Sequence, residues 1–191
     1  MPERFQRRSI RLRGYDYAQA GEYYVTICTH QRAHLFGEVA EGIMMPNALG
    51  DIAQRCWNAI PEHMPMVTLD EFIVMPNHVH GIIVIADGPV PVVPDDVVGA
   101  GNFPPLRDTV PPPEPSRKMP VMQKGSLGHI MQTFKAGVSR SAAKGGSIER
   151  GTPIWQRGYY EHIIRDTADH DRIAQYIAEN PANWGSDDLN R

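Results

Sequence analysis

Two short runs of this sequence hold side chains that could do chemistry together. The first is Met75-Pro76-Asn77-His78-Val79-His80, which leads into Gly81-Ile82-Ile83-Val84-Ile85. Side chains alternate along a strand with period two, so His78 and His80 project from the same face. Two imidazoles placed this way can grip one divalent metal without rearranging the backbone. The pair alone does not decide the matter, because two core or surface histidines would read the same. In the second run Arg172, Tyr176 and Asn180 recur at i, i+4 and i+8 and share one helical face. Ile173 and Ile177 form the adjacent apolar stripe that docks such a helix on a sheet. Asn180 precedes Pro181, where the helix should end, and an amide oxygen there could complete a metal site begun by the histidines. Tyr176 can serve as a nucleophile or as an amphipathic packing residue. Asn180 is equally a residue favoured beside a helix terminus.

The elements that must position these runs follow from periodicity and punctuation. Glu22 to Thr29 (EYYVTICT) is rich in aromatic and β-branched residues and predicts a first strand. Leu35 to Val39 and Gly42 to Met45 predict a small hairpin. Asn47 to about Glu62 carries Ile52, Cys56, Trp57 and Ile60 at helical spacing, with Pro61 marking a frayed end. Val67 to Val74 and Val79 to Ile85 are apolar runs separated by the Met75-Pro76-Asn77 turn signal, and predict an antiparallel hairpin. Ser126 can cap a helix through about Ala143, with Ile130, Phe134 and Val138 on one face. Tyr159 to Ile164 predicts a last strand, and Asp166 can cap a final helix running to Asn180. From about residue 87 to 125 prolines such as Pro111-Pro112-Pro113 remove backbone donors and fix φ, which predicts an irregular or disordered insertion. The resulting order is α+β, a ferredoxin-like βαββαβ plan with helices over one face of an antiparallel sheet, followed by the helix that carries the tyrosine. One domain would then span residues 1–191. The plan by itself implies no function.

The combination is more specific than either run. With His78-Val79-His80 on a central strand and Tyr176-Ile177-Ala178-Glu179-Asn180-Pro181 on a later helix, the chain resembles the single-tyrosine HUH transposases, in particular their REP-associated tyrosine transposase branch. The resemblance covers most of the chain. It includes Tyr23 to Thr29 (YYVTICT), Val74 to His80 (VMPNHVH), Ile154 to Asp166 (IWQRGYYEHIIRD) and Tyr176 to Trp184 (YIAENPANW). It implies a ferredoxin-like catalytic domain in which His78 and His80 hold Mg²⁺ or Mn²⁺, Asn180 is the helix-borne polar ligand, and Tyr176 is the nucleophile. Insertion-sequence relatives often carry glutamine where this chain has Asn180, and the proline-rich insertion departs from compact relatives. Tyr159 and Tyr160 adjoin a family motif and are rival nucleophiles. They lie in an expected strand, where alternation aims only one at any given face, and are expected to support the sheet. His162 and Arg165 read as structural or DNA-contacting residues rather than ligands.

The implied reaction is attack on single-stranded DNA bearing a hairpin near the cleavage site. It forms a 5′-phosphotyrosine and releases a 3′-hydroxyl. That hydroxyl, or another, can reverse the step and join strands without ATP. The resemblance also implies a homodimer. Two other classes of function remain compatible with the residues. One is a noncatalytic single-stranded nucleic-acid-binding module, since a ferredoxin-like sheet can stack bases on exposed aromatics. The other is a metallohydrolase using activated water, with Tyr176 only packing.

Composition sets the outer bounds. The chain has 191 residues, 41% apolar and 21% charged, as expected of a soluble globular domain. No stretch approaches the roughly 20 apolar residues needed to span a bilayer. The first residues lack the apolar core of a signal peptide, so a cytoplasmic protein without a membrane partner is expected. Cys28 and Cys56 are too few and too far apart for a disulfide framework, and are expected to be buried free thiols. A net charge of -3 weighs mildly against a nucleic-acid partner. Placement matters more than the total. Arg4, Arg7, Arg8, Arg11 and Arg13 crowd the N-terminus as a disordered tail or a phosphate-contacting arm, whereas acid gathers between Asp166 and Asp188.

Overall fold

The computed structural model describes residues 15–88 and 123–190. The arginine-rich N-terminus and nearly all of the proline-rich segment lie outside the described residues. The chain runs through β1 (Gly21–Cys28), β2 (Gly37–Ala40), β3 (Ile43–Pro46), α1 (Ala48–Asn58), α2 (Ile60–His63), β4 (Val67–Met75), β5 (His78–Ile85), α3 (Leu127–Lys144), β6 (Tyr160–Ile164) and α4 (Thr167–Glu179). Four of the strands form one antiparallel sheet in the order β4-β5-β1-β6, and β2 pairs only with β3. With that small hairpin set aside, the order is βαββαβ with α4 appended.

Local chemistry explains the elements. Asn47 caps α1 by accepting from the backbone N–H groups of Leu49 and Gly50, Ser126 caps α3 through His129 N–H, and Asp166 caps α4 through Asp169 N–H. The helix expected over Asn47 to Glu62 is two helices that share Ala59 as a joint. Pro61 has no N–H to continue α1, but it fits the first turn of a new helix, where that donor would have no partner.

Alternation along the strands divides the sheet into two faces. Tyr23, Val25 and Ile27 of β1, with Val79 and Ile83 of β5, join Trp57, Ile130, Phe134 and Val138 in the main core under α1 and α3. The other face carries Tyr24, Ile82 and Ile164, which pack on Ile173 and Ile177 of α4. The terminal helix therefore lies across the sheet from the other two long helices. Gly81 sits on the α1 side. A Cβ there would stand 2.4 Å from Trp57 Cζ2, so only glycine lets that indole lie against β5 and stack on Phe72 at 4.3 Å. Cys28 and Cys56 are free thiols, half-buried rather than buried as expected. No helix among the described residues is long and apolar enough to cross a membrane.

Candidate active site

The β4–β5 turn holds the first histidine in place. Asn77 is fully buried there, and its backbone carbonyl accepts from Thr29 N–H at 2.8 Å. Its side-chain Nδ2 donates to Leu189 O at 2.7 Å, which turns Oδ1 toward His78 Nδ1, 2.8 Å away. An amide oxygen can only accept, so His78 Nδ1 carries the proton and Nε2 keeps its lone pair. His80 Nδ1 is flanked by two hydroxyls of β1. Thr26 Oγ1 donates to Tyr24 Oη at 3.0 Å, and His80 Nδ1 lies 2.9 Å from Thr26 Oγ1 and 2.8 Å from Tyr24 Oη. With its proton on Nδ1, His80 likewise presents a bare Nε2. The register places Thr26 opposite His80 and Cys28 opposite His78, so β1 supplies this support directly.

Both rings stay neutral at physiological pH. Burial pushes His78 down to about 4, with the Asp187 carboxylate and the Asn180 amide pulling the other way. Burial, then the neighbouring His78, holds His80 well below the ordinary histidine value. The two ring centroids are 4.4 Å apart.

Three buried atoms of the anticipated ligand set have no hydrogen-bond partner: His78 Nε2, His80 Nε2 and Asn180 Oδ1. Each such atom destabilises a fold by roughly 1–3 kcal/mol. All three are electron-pair donors, which is what a divalent cation requires of its ligands. Asn180 follows the last residue of α4 and is 2% exposed, and its Nδ2 donates to Asp187 Oδ2 at 3.2 Å. Asp187 is a member of the site that sequence reasoning missed. Its Oδ2 lies 4.0 Å from His78 Nε2, and ligand atoms of His78, His80 and Asp187 all fall within 4.8 Å of one another. Its only trace in the sequence is the acidic stretch ending at Asp188, which has no ligand spacing.

Tertiary bonds bring Asp187 into position. Its Oδ1 accepts from Leu189 N–H at 2.7 Å, Asn77 holds Leu189 O, and Arg32 donates to Asp188 O at 3.2 Å. Trp184, just upstream, sets its ring 5.9 Å from that of His78.

Tyr176 stands on the exposed side of the cluster. Its ring centroid lies 5.3 Å from that of His80, and the residue is 46% exposed. Burial raises the phenol above its ordinary pKa, the Asp187 carboxylate adds to the rise, and the Asn180 amide opposes it. The hydroxyl is therefore protonated at neutral pH while remaining reachable from solvent.

The remaining candidates separate. Arg172 pairs with Asp169 and is not drawn into the cluster. His162 belongs to the same network, its Nε2 2.7 Å from Asp169 Oδ2, which ties β6 to α4 as a structural link. Tyr159 packs against the main core, as expected of a sheet-supporting residue. Tyr160, expected to do the same, is instead 44% exposed. Its ring meets that of Tyr24 at 6.2 Å, whereas Tyr176 is the tyrosine beside His80.

No family model matches the chain. A Haemophilus influenzae protein described as "Uncharacterized protein" is 42% identical over 187 residues, an alignment covering 96% of this chain and 92% of that one. A solved structure of a REP-associated tyrosine transposase bound to a REP hairpin is similar with a TM-score of 0.54 at 16% identity, over 93% of this chain and 75% of that chain. Sequence identity on that scale and coverage place this chain in the family of the Haemophilus influenzae protein, and its fold is the one that the REP-associated tyrosine transposase adopts.

Proposed function

We propose that this protein is a transposase-like, metal-dependent enzyme that nicks and rejoins single-stranded DNA through a 5′-phosphotyrosine at Tyr176. The observation that carries this reading is the group of partnerless lone pairs on His78 Nε2, His80 Nε2 and Asn180 Oδ1, beside an accessible tyrosine hydroxyl. His78, His80 and Asn180 would hold the ion, with Asp187 as a further oxygen donor. A bound Mg²⁺ or Mn²⁺ supplies positive charge that polarises a nonbridging phosphate oxygen and steadies the developing oxyanions.

The protein's own groups supply the rest. Helix α4 holds the Tyr176 hydroxyl at the rim of the cluster, where its oxygen can approach phosphorus from solvent. The Tyr176 Oη–P bond forms as the P–O3′ bond breaks. The phenol proton leaves to solvent, and the departing 3′ oxygen takes one up. Thr26, Tyr24 and Asn77 keep both imidazoles in the tautomer that donates through Nε2. Because the phosphotyrosine preserves the energy of the broken bond, a 3′-hydroxyl can attack it and restore a phosphodiester. Hairpin-bearing DNA is the proposed substrate, by analogy with the structurally similar transposase, whose solved complex contains a REP hairpin.

The test is incubation of the protein and a Tyr176→Phe variant with labelled single-stranded hairpin DNA and Mn²⁺, followed by denaturing gels. A metal-dependent protein–DNA band absent from the variant supports the reading. An equal band from the variant would transfer the role to another tyrosine and refute it.

A further inference from the structure

Among the described residues the exposed large apolar side chains are Ile43, Met45, Tyr160 and Tyr176, and the two aromatics stand on the same face of the sheet. Both meet one buried ring edge-on. Tyr160 lies 6.2 Å from Tyr24 at 69°, and Tyr176 lies 6.5 Å from it at 87°. Tyr24 in turn stacks on His80 at 5.6 Å. Tyr160 pairs across the sheet with Thr26, the residue that supports His80. The exposed ring is therefore built into the frame that orients His80, next to the candidate nucleophile.

A packing role leaves its exposure unexplained. Tyr159, just before β6, already packs against the main core, and α4 packs chiefly on β4 and β5. β6 is an edge strand, so nothing in the sheet lies beyond Tyr160. In the loop that leads into β6, Arg157 is exposed and makes no ion pair among the described residues. An open aromatic face with an exposed arginine in the adjoining loop is the combination that single-stranded nucleic acid uses, since every base has a π-face and every linkage a negative charge.

We propose that Tyr160 is a base-stacking platform of this site, carrying a nucleobase that adjoins the phosphate attacked by Tyr176, with Arg157 against the backbone of the same strand. The inference rests on the single-stranded DNA reading above and names a contact that reading does not require. Stacking on an aromatic ring tolerates any base, so the contact would position the strand without selecting its sequence.

The experiment uses Tyr176→Phe protein, which cannot cleave, and single-stranded hairpin oligonucleotides with 2-aminopurine at successive positions across the cleavage junction. One position should be quenched on binding, and Tyr160→Ala should abolish that quenching and weaken binding roughly tenfold or more. Tyr160→Phe should keep both, because the ring and not the hydroxyl does the stacking. A Mn²⁺-induced rise in melting temperature equal to that of the parent shows that the alanine variant is folded with its histidines in place. Unchanged quenching and affinity in Tyr160→Ala would overturn the proposal, and so would a Phe variant that falls as far as Ala. The gel assay on protein retaining Tyr176 separates the two failures. Covalent adduct with no Tyr160 effect removes the platform alone, and a Tyr160 effect without adduct leaves the platform and removes the phosphotyrosine chemistry.

Discussion

Removing the imidazole of His78 should flatten the acid side of the protein's stability curve in the absence of metal. His78 is fully buried and held at about 4, against an ordinary histidine value of 6.5. Between those two pH values the unfolded chain binds a proton that the folded chain refuses. Stability then rises with pH through this window: it is fully present above the unfolded pKa and is lost as pH falls toward the folded one. Each pH unit of that window corresponds to about 1.36 kcal/mol, so the loss attributable to His78 is about 3 kcal/mol. His80 adds a loss of the same sign, because burial and the neighbouring His78 depress it too. His170 acts oppositely. Burial is the largest single influence and lowers it, but the hydrogen bonds to Asp70 and Asp171 and the negative charges of Asp70 and Glu22 together raise it, so its contribution is full below the ordinary pKa and lost as pH rises. The measurement is urea unfolding in excess EDTA at a series of pH values, on the parent and on His78→Gln. The parent should lose about 3 kcal/mol more than the variant across the window. The quantity compared is the pH slope, so a lower absolute stability of the variant does not disturb it. Equal slopes would show that His78 is not held neutral by burial and would refute the argument for a bare Nε2.

The metal reading predicts that Mn²⁺ at a hundredfold excess over its Kd stabilises the parent by about 3 kcal/mol near neutral pH, an effect that fades on acidification as protons compete for the imidazoles. Calorimetric or thermal-shift titration should show this stabilisation collapsing in His80→Ala and weakened in Asn180→Ala and Asp187→Asn; full retention in all three would end the assignment. Thr26→Val and Tyr24→Phe remove partners of His80 Nδ1 and should lower Mn²⁺ affinity by about 10–100-fold, the usual effect of losing such support. Gly81→Ala should destabilise by roughly 1–3 kcal/mol, because the new methyl meets the Trp57 ring inside the core. A melting temperature unchanged in that variant would mean that the indole does not pack on β5 as described.

Much of this protein is legible in the residues themselves because short-range rules govern them. Period two along β5 places His78 and His80 on one face, and the apolar stripe Ile173 and Ile177 docks α4, so a helix bearing Tyr176 and Asn180 could be anticipated to meet the sheet. Asn47, Ser126 and Asp166 announce their helices by capping chemistry that depends only on the next few residues. What local rules cannot supply is which side of a sheet a later element will cover. The side of the sheet covered by α4, and with it the meeting of Tyr176 and His80, depends on the main core filling the other side. Asp187 enters through bonds from Asn77 and Arg32 to a segment more than a hundred residues away, and no spacing in the sequence records them. The outward turn of Tyr160 opposite Thr26 is likewise a matter of register with β1. The identity of the candidate donors is a local property; their convergence is a property of the packed sheet.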